Sequence, residues 1–277
     1  MLLAKTKEDL KEILNSNNNK TIGLVPTMGA LHEGHLSLIE KSKAENDFVV
    51  VSIFVNPKQF NDPKDLENYP SDLEGDLNKI KNIADCVFCP DINNVYPDNF
   101  KEKFFELDHL EDVMEGKHRK GHFQGVCNIV YILLDLVQPT KAYFGIKDYQ
   151  QLAIIKHMSK TYFPQIQIVP CEIVREQNGL AKSSRNLNLS RDEIEKATII
   201  YKNLMVAKEL IRTNESIEQI KSIIEHNFQR ENIQLDYFEI TDSETLLPVE
   251  QKKSKSRAFI AAYVGNVRLI DNMELIE

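Results

Sequence analysis

Two histidines, His32 and His35, lie in the segment PTMGALHEGH, which carries the clearest chemical signal in the sequence. The segment follows a short apolar, strand-like run, Thr21–Val25, and precedes an apolar run with helical spacing that starts at Leu36. A strand, a glycine-containing turn and a helix start form a site where free backbone N–H groups and a partial positive charge bind phosphate. Imidazoles at that point can donate hydrogen bonds to the charge that builds up on a phosphate during a displacement. The segment therefore predicts a nucleotide-phosphate site, provided that the strand and the helix form around it.

Two further segments place polar groups at the ends of predicted strands. FVNPKQF, Phe54–Phe60, contains Asn56 and Gln59, whose uncharged amides suit the hydroxyls of a small ligand. FGIKDYQQ contains Lys147, which suits a phosphate, and Asp148, which can accept hydrogen bonds from ribose hydroxyls. Taken singly, either segment could equally be an ordinary polar turn.

Two more segments are basic or rich in hydroxyls. GKHRKGHFQGV, Gly116–Val126, mixes glycines with cationic side chains and suits an anionic ligand. His118 and His122 within it have a spacing found at zinc sites, but Gly121 between them disfavours the continuous helix that such a site requires. GLAKSSRN ends with Ser183–Arg185, a hydroxyl and guanidinium set that suits a polyphosphate, although a plain linker remains the alternative.

These segments need a scaffold that brings strand ends together, and the first part of the chain predicts one. Its predicted strands are Thr21–Val25, Phe48–Val55, Cys86–Cys89, Lys141–Ile146 and Ile166–Val174. Its predicted helices are Thr6–Leu14, Leu36–Ala44, Leu73–Ile83, Val126–Val137 and Tyr149–Ser159. Such alternation indicates an α/β fold with a Rossmann-like, doubly wound parallel sheet over residues 1–175, and ligands bind such sheets beyond the carboxyl ends of the strands.

The pattern changes after about Arg175. Capping boxes at Ser190 and Ser216 predict helices over residues 190–212 and 216–231. Three strand-like runs follow, and a Gly265-Asn266 turn joins the last two as a hairpin; the runs are Leu235–Thr241, Arg257–Val264 and Val267–Ile270. Residues 176–277 are therefore expected to form a smaller α+β domain that covers the site. The charged stretch of residues 250–257 is expected to be an exposed loop, with a binding patch as the alternative.

Composition excludes several classes of protein. With 34 Lys and Arg against 42 Asp and Glu, the net charge is −8, which disfavours nucleic-acid binding. No run is long enough to cross a membrane, and Met1–Lys5 lacks the apolar stretch of a signal peptide. Four scattered cysteines, including the Cys86/Cys89 pair, suit buried thiols better than a disulfide framework, metal or redox site. We therefore expect a cytoplasmic protein without a nucleic-acid or membrane partner.

The set of segments, in this order and over essentially the whole chain, resembles the pantoate–β-alanine ligase (pantothenate synthetase) family. The segments that carry the resemblance are PTMGALHEGH, FVNPKQF, GHFQGV, FGIKDYQQL and GLAKSSRN. More broadly, the H-x-G-H sequence with a later hydroxyl-rich loop resembles class I nucleotidyltransferases and aminoacyl-tRNA synthetases. The family resemblance implies a two-step reaction: ATP and pantoate give pantoyl adenylate and diphosphate, and β-alanine then gives pantothenate and AMP.

The resemblance also implies roles for individual residues. His35 would be the proton donor of the family, aided by His32, Lys147 and Ser183–Arg185. The implied ATP-binding residues are Met28, Gly29, Ala30, Leu31, His32, Glu33, Gly34, His35, Gly145, Ile146, Lys147, Asp148, Val174, Lys182, Ser183, Ser184 and Arg185. The implied residues for pantoate and β-alanine are Gln59, Gln151, Pro26 and Met28, where Pro26 and Met28 could equally belong to the core. Mg²⁺ would enter with ATP, Asp76 is a candidate ion or water contact, and the family suggests a homodimer.

The chain departs from the family pattern at three places. Lys182 precedes the paired serines where the family has Met or Leu, Lys120 replaces a proline, and Ile146 replaces a frequent Glu. Two rival functions remain open on the sequence. One is an H-x-G-H nucleotidyltransferase that leaves an adenylyl group on a small phosphorylated substrate. The other is a non-catalytic nucleotide sensor or tRNA-binding module.

Overall fold

The computed structural model describes residues 1–251 and 255–276, and the first part of the chain forms a six-stranded parallel sheet. Its strands are β1 (Leu2–Ala4), β2 (Ile22–Thr27), β3 (Phe48–Ile53), β4 (Cys86–Phe88), β5 (Lys141–Gly145) and β6 (Gln167–Cys171). They lie in the order β1-β4-β3-β2-β5-β6, and each neighbouring pair is parallel. The helices of this part are α1 (Lys7–Asn15), α2 (Glu33–Glu45), α3 (Pro63–Glu67), α4 (Leu73–Ile80), α5 (Ile92–Val95), α6 (Met114–His118), α7 (His122–Val137) and α8 (Tyr149–Tyr162).

Alternate residues of the central strands enter two different apolar layers, because successive side chains of a strand point to opposite faces of the sheet. Leu24 and Val50 pack with residues of α1, α7 and α8 on one face. Val25 and Val51 pack with residues of α2 and α4 on the other face. The chain runs from β2 outward to β3 and β4, and then returns to the opposite side of β2 for β5. That reversal creates a crevice beyond the carboxyl ends of β2 and β5, where ligands bind sheets of this type.

The last part of the chain has its own sheet and its own core. It consists of α9 (Arg191–Leu210), α10 (Ile217–Arg230) and the antiparallel strands β7 (Gln234–Asp242), β8 (Ser256–Val264) and β9 (Val267–Ile276). Capping boxes begin both helices, as the sequence predicts at Ser190 and Ser216. Apolar residues of the two helices pack on one face of the sheet, with Ile220 and Ile260 fully buried. The doubly wound sheet and the smaller α+β part are thus both confirmed.

Several element boundaries differ from the predictions. The edge strand β1 was not predicted, since two of its residues are exposed and the run is short. Helix α7 begins at His122 rather than Val126, because Gly121 adopts φ +79° and starts the helix there. β6 ends at Cys171, short of the predicted Val174.

The prediction of an exposed loop over residues 250–257 is wrong at its carboxyl end. Arg257 lies in β8 and is only 6% exposed, since its guanidinium pairs with Asn272 and Glu274. Residues 252–254 of this stretch lie outside the described residues. Every helix within residues 1–251 and 255–276 is too short or too polar to cross a lipid bilayer.

Candidate active site

A cavity of about 230 Å³ opens in the crevice beyond the carboxyl ends of β2, β3 and β5. The predicted site residues that line it are Pro26, Met28, His32, Gly34, His35, Gln59, Gly145, Lys147, Asp148, Gln151, Val174, Lys182, Ser183, Ser184 and Arg185. The predicted residues that do not line it are Gly29, Ala30, Leu31, Glu33, Ile146 and Asp76. Side chains at the ends of the parallel strands and side chains of residues 182–185, before α9, therefore share one cavity.

The two histidines of α2 face the cavity as hydrogen-bond donors. His32 is the N-cap residue of α2, and its Nδ1 accepts the N–H of Gly34 at 3.1 Å. The Nδ1 atom of His35 accepts the N–H of His32 at 3.4 Å. A neutral imidazole that accepts at Nδ1 carries its proton on Nε2. With ring centroids only 4.1 Å apart, the two residues present neighbouring Nε2–H donors.

Both imidazoles are neutral at physiological pH. Burial lowers the pKa of His35 to about 3, helped by repulsion from a protonated His32 and by the charge of Lys147. Burial, followed by the charge of Lys147, lowers the pKa of His32 to about 4. Below pH 6.5 these two histidines become protonated in the unfolded chain but stay neutral in the folded chain. The free energy of unfolding therefore decreases as the pH falls from 6.5 towards 4 and 3, the approximate pKa values of the folded state. Donation to a phosphate thus requires no prior protonation of the rings.

This state of the two rings can be measured by ¹⁵N NMR of the ligand-free protein. We expect His32 and His35 to show an unprotonated Nδ1 and a protonated Nε2, with no titration between about pH 5.5 and 8. His226, which is exposed on α10, provides a reference signal away from the cavity. Titration of either ring near pH 6.5, or a proton on Nδ1, would contradict the geometry.

The turn before α2 is held from behind by a buried carboxylate. Gly29 and Ala30 both have positive φ angles, +80° and +48°, which bend the chain sharply. The Oδ1 atom of Asp76 accepts the N–H of Leu31 at 2.7 Å. The hydroxyl of Ser184 donates to the carbonyl of Ala30 at 3.0 Å, which ties the turn to the later part of the chain. These hydrogen bonds position the histidines. Of the two side chains that make them, Ser184 lines the cavity and Asp76 does not.

Gln59 ends a 3₁₀ turn that two side chains of the GKHRKGHFQGV segment fix in place. The carbonyl of Gln59 accepts hydrogen bonds from His122 Nδ1 at 2.8 Å and from Arg119 Nη2 at 3.3 Å. Gly125 permits this close packing, since a Cβ there would lie 2.2 Å from the carbonyl oxygen of Lys58. The segment therefore acts in this structure as a support for Gln59, a role that its basic composition did not suggest.

His118 and His122, whose spacing in the sequence is found at zinc sites, have separate partners in the structure. His118 lies at the end of α6, and its Nδ1 is 3.1 Å from a carboxylate oxygen of Asp236. His122 is buried at the start of α7, and burial lowers its pKa to about 4. Within residues 1–251 and 255–276, no three His, Cys, Asp or Glu side chains converge as a metal-binding group.

The two amides that suit a small acid line the cavity from different elements, Gln59 from the 3₁₀ turn after β3 and Gln151 from α8. The Nε2 atom of Gln59 is 3.0 Å from Met28 Sδ, and its Oε1 accepts from Asn56 at 3.1 Å. Gln151 lies on α8 and lines the same cavity. The neighbouring Gln150 is buried and binds backbone groups of residues 110, 113 and 115, so only Gln151 of this pair faces the cavity. A thioether contact is weak, which leaves the Gln59 amide available to a ligand.

Cationic groups line the cavity close to the histidines, since Lys182 pairs with Glu33 beside His32 and the charge of Lys147 acts on both rings. Lys147 follows β5 on a 3₁₀ turn, with its Nζ 3.7 Å from Asp148. Arg185 pairs through Nε and Nη2 with Asp65 of α3, at 3.3 and 2.8 Å. Lys182, where the sequence departs from the family, pairs with Glu33 at 3.0 Å and Glu176 at 2.6 Å. Without a ligand, two of these three cations are thus neutralised by carboxylates from elsewhere in the chain.

Sequence reasoning missed some residues that shape this part of the cavity. Asp65 and Asn272 give no sequence signal, because their partners are far away in the chain. The carbonyl of Val174 accepts the N–H of Lys182 at 2.9 Å, which joins two segments that the resemblance assigns to ATP binding. Tyr69 could have been found, since an aromatic residue in a polar loop of this kind commonly packs on a ligand or a cation, and its ring lies 5.7 Å from the Arg185 guanidinium.

A doubly wound parallel sheet with phosphate-binding groups at its switch point defines an α/β protein of the nucleotide-binding class. Comparison with known proteins narrows this class. The family model described as pantoate–β-alanine ligase matches residues 2–274. The chain belongs to the pantoate–β-alanine ligase family, which confirms the resemblance found in the sequence.

Individual relatives cover the full chain. The pantothenate synthetase of Flavobacterium psychrophilum is 47% identical over 99% of this chain and 100% of its own length. A crystal structure of pantothenate synthetase from Thermus thermophilus matches with a TM-score of 0.95 at 38% identity, over 100% of both chains. A pantoate–β-alanine ligase from Francisella tularensis, complexed with beta-gamma ATP and β-alanine, matches with a TM-score of 0.83 at 38% identity, over 99% of this chain and 98% of that chain. The broader likeness to aminoacyl-tRNA synthetases stays a prediction.

Proposed function

We propose that this chain joins pantoate to β-alanine at the expense of ATP, through a pantoyl adenylate, with release of AMP and diphosphate. The observation that carries the proposal is the arrangement of His32, His35, Gln59 and Gln151 around one cavity. Neutral imidazole donors suit phosphate oxygens, and glutamine amides suit the hydroxyl and carboxylate groups of a small acid. Membership of the ligase family supports the same substrates.

In the first step, a carboxylate oxygen of pantoate attacks the α-phosphorus of ATP, and the bond to the bridging oxygen of the β-phosphate breaks. Charge grows on that bridging oxygen and on the oxygens of the α-phosphate. The Nε2–H groups of His32 and His35 donate to these oxygens, and the ammonium group of Lys147 offsets their charge. Gln59 and Gln151 hold pantoate so that its carboxylate points at the α-phosphorus.

In the second step, the amine of β-alanine attacks the acyl carbon of pantoyl adenylate. The C–O bond to the phosphate breaks, AMP leaves with the electron pair, and the amine nitrogen gives up a proton. Adenylation makes this step feasible, because it replaces a carboxylate oxygen by a good leaving group. The same donors that served the first step hold the phosphate of the departing AMP.

The ATP-binding role of the whole predicted set is part of this proposal. Its members are Met28–His35, Gly145–Asp148, Val174 and Lys182–Arg185. Arg185 donates hydrogen bonds to Asp65 through Nε and Nη2, and its Nη1 remains available for a phosphate oxygen. To contact a phosphate, Lys182 must break its ion pair with Glu33 or with Glu176 and pair with the nucleotide instead.

We place Mg²⁺ with the nucleotide, where it would supply neutralising charge to the polyphosphate. Asp148 is the aspartate that lines the cavity beside Lys147. Asp76 remains the candidate ion or water contact, because its Oδ2 atom is buried without a hydrogen bond to any described residue. Its Oδ1 atom holds Leu31, so the carboxylate also acts as a support for the histidine turn. The carboxylates of Asp148 and Asp76 suit a Mg²⁺ ion that arrives with ATP better than an ion that the protein binds permanently.

Other features remain proposals of the same kind. We assign residues 1–175 to the ATP- and pantoate-binding domain and residues 176–277 to the covering domain, since the second part has a core of its own and adds only a few residues, among them Leu246 and Phe259, to the core of the first part. We also propose a cytoplasmic homodimer, on the ground of family membership. An adenylyl transferase that keeps AMP on its product is not favoured, because such a reaction gives no role to Gln59 and Gln151.

The proposal is tested by the exchange of labelled diphosphate into ATP, which reports the first step alone. We expect exchange in the presence of pantoate without β-alanine, and no exchange without pantoate. For Gln59→Ala we expect the pantoate concentration needed for half-maximal exchange to rise by ~10-fold or more, through loss of hydrogen bonds to the substrate. Gln229→Ala, at an exposed position of α10, is the matched control. Exchange that is independent of pantoate, or a Gln59→Ala effect on ATP alone, would refute the proposal.

A further inference from the structure

The turn that carries Lys147 is held by a side chain from the second sheet. Asn272 lies on β9 and is only 1% exposed. Its amide nitrogen Nδ2 donates to the carbonyls of Ile146 and Lys147, each at 2.8 Å. Two consecutive carbonyls of the turn thus bind one amide group that lies more than a hundred residues away in the sequence.

The orientation of the Asn272 amide is fixed by a second partner. Its Oδ1 accepts from Nη1 of Arg257 at 2.7 Å, and Arg257 in turn pairs with Glu274 at 3.2 Å. Arg257 offers only donors and the carbonyls of residues 146 and 147 offer only acceptors, so the amide cannot be reversed. The guanidinium of Arg257 also lies 4.1 Å from the ring centroid of Tyr149, the first residue of α8. The amide is therefore locked between β8 and the turn.

The turn has no side-chain cap of its own. Gly145, which precedes the 3₁₀ turn, has no side chain that could cap it, and the side chain of Asp148 does not cap α8. Gly145 has no Cβ, so the backbone on that side is unrestrained by packing. The turn is anchored at its ends by the pairing of Gly145 with Cys171 and by the start of α8, and the Asn272 amide is the side-chain contact that holds the carbonyls between them.

We propose that Asn272 is a positioning residue for the nucleotide: it holds the turn of residues 145–148 so that Lys147 meets the phosphates and Asp148 meets the ribose. The inference rests on the proposed function for the identity of the ligand. It adds that ATP binding depends on the contact between β9 and the turn. A purely structural contact between the two sheets would instead lower stability and affect both substrates alike.

The test uses Asn272→Asp and Asn272→Ala in the full chain. Aspartate removes the donors, keeps an acceptor for Arg257 and places a carboxylate opposite two carbonyls, whereas alanine removes both the donors and the acceptor for Arg257. We expect the KM for ATP and the Kd of a non-hydrolysable ATP analogue to rise by ~10–10²-fold, the effect of losing two buried hydrogen bonds. The KM for pantoate at saturating ATP should stay at its wild-type value. Asn272→Ala is the milder variant and serves if Asn272→Asp does not fold.

Tyr237→Phe is the matched control. Tyr237 lies on β7 and donates to Glu115 of α6 at 2.8 Å, so this variant also removes a partly buried hydrogen bond between the two parts of the chain. This hydrogen bond does not involve the turn of residues 145–148, and we expect the ATP affinity of the variant to equal that of the wild type. Equal weakening of ATP and pantoate in the Asn272 variants, or unchanged binding of the analogue, would overturn the inference. Failure of the proposed function would appear separately, as wild-type protein without pantoate-dependent diphosphate exchange.

Discussion

His35→Ala should lower the rate of adenylation by ~10²–10³, which is the usual cost of losing one donor to a transition state. The reason is that His35 presents an Nε2–H into the cavity while its Nδ1 is occupied by the N–H of His32. Its pKa of about 3 means that this donor is present throughout the working range of pH. Single-turnover formation of diphosphate from ATP and pantoate measures this step directly.

The appropriate control for this variant is His226→Ala, at an exposed position of α10. The effect should appear in the rate at saturating substrates, because a donor that acts on developing charge contributes little to the ground state. A rate of diphosphate release near that of the wild type would show that His35 is no such donor. His32→Ala should act in the same direction, with added damage to the start of α2, since His32 is its N-cap.

Lys147→Gln should reduce adenylation by ~10²-fold, because a charge-assisted contact to the phosphates becomes a neutral one. The substitution keeps much of the length of the side chain and removes its charge. It has a second consequence that can be measured without substrate. The charge of Lys147 lowers the pKa of both His32 and His35, so both pKa values should rise in the variant.

Lys160→Gln, at an exposed position of α8, is the control for charge removal. Two readouts make the prediction strict: the rate of diphosphate formation and the ¹⁵N titration of the two imidazoles. Unchanged titration together with a full adenylation rate would place Lys147 outside the reacting centre. A changed titration with an unchanged rate would leave Lys147 near the histidines but without a role at the phosphates.

The sequence predicted the parts of the site that are local in the chain. The segment from Pro26 to His35 contains the strand, the turn and the helix start together, so its geometry follows from neighbouring residues. Gln59, Lys147 and Gln151 could be placed at the same edge, because parallel strands end on one side of a sheet. Their positions near one another could therefore be predicted without knowledge of any contact between distant segments.

The remaining parts depend on contacts between distant segments. Asp65 holds Arg185 and Asn272 holds the Lys147 turn, and each pair is separated by more than a hundred residues. No periodicity or spacing marks such pairs in one sequence. The basic segment around His122 was interpreted as an anion site, and that stays a prediction, since Arg119 and His122 line the cavity; the sequence did not show that His122 is also a buried, neutral support of the Gln59 turn. The edge strand β1 was missed for a related reason. Its extended structure depends on pairing with β4, whereas its own residue pattern does not indicate a strand.

Release of AMP is the most direct measure of whether this chain joins pantoate to β-alanine through an adenylate. The assay contains the wild-type protein with ATP, pantoate and β-alanine, and omits each component in turn. We predict stoichiometric AMP and pantothenate in the complete mixture, and no catalytic release of AMP when pantoate or β-alanine is absent. AMP that stays attached to the product, or turnover that ignores either organic substrate, would show that the chain catalyses a different reaction.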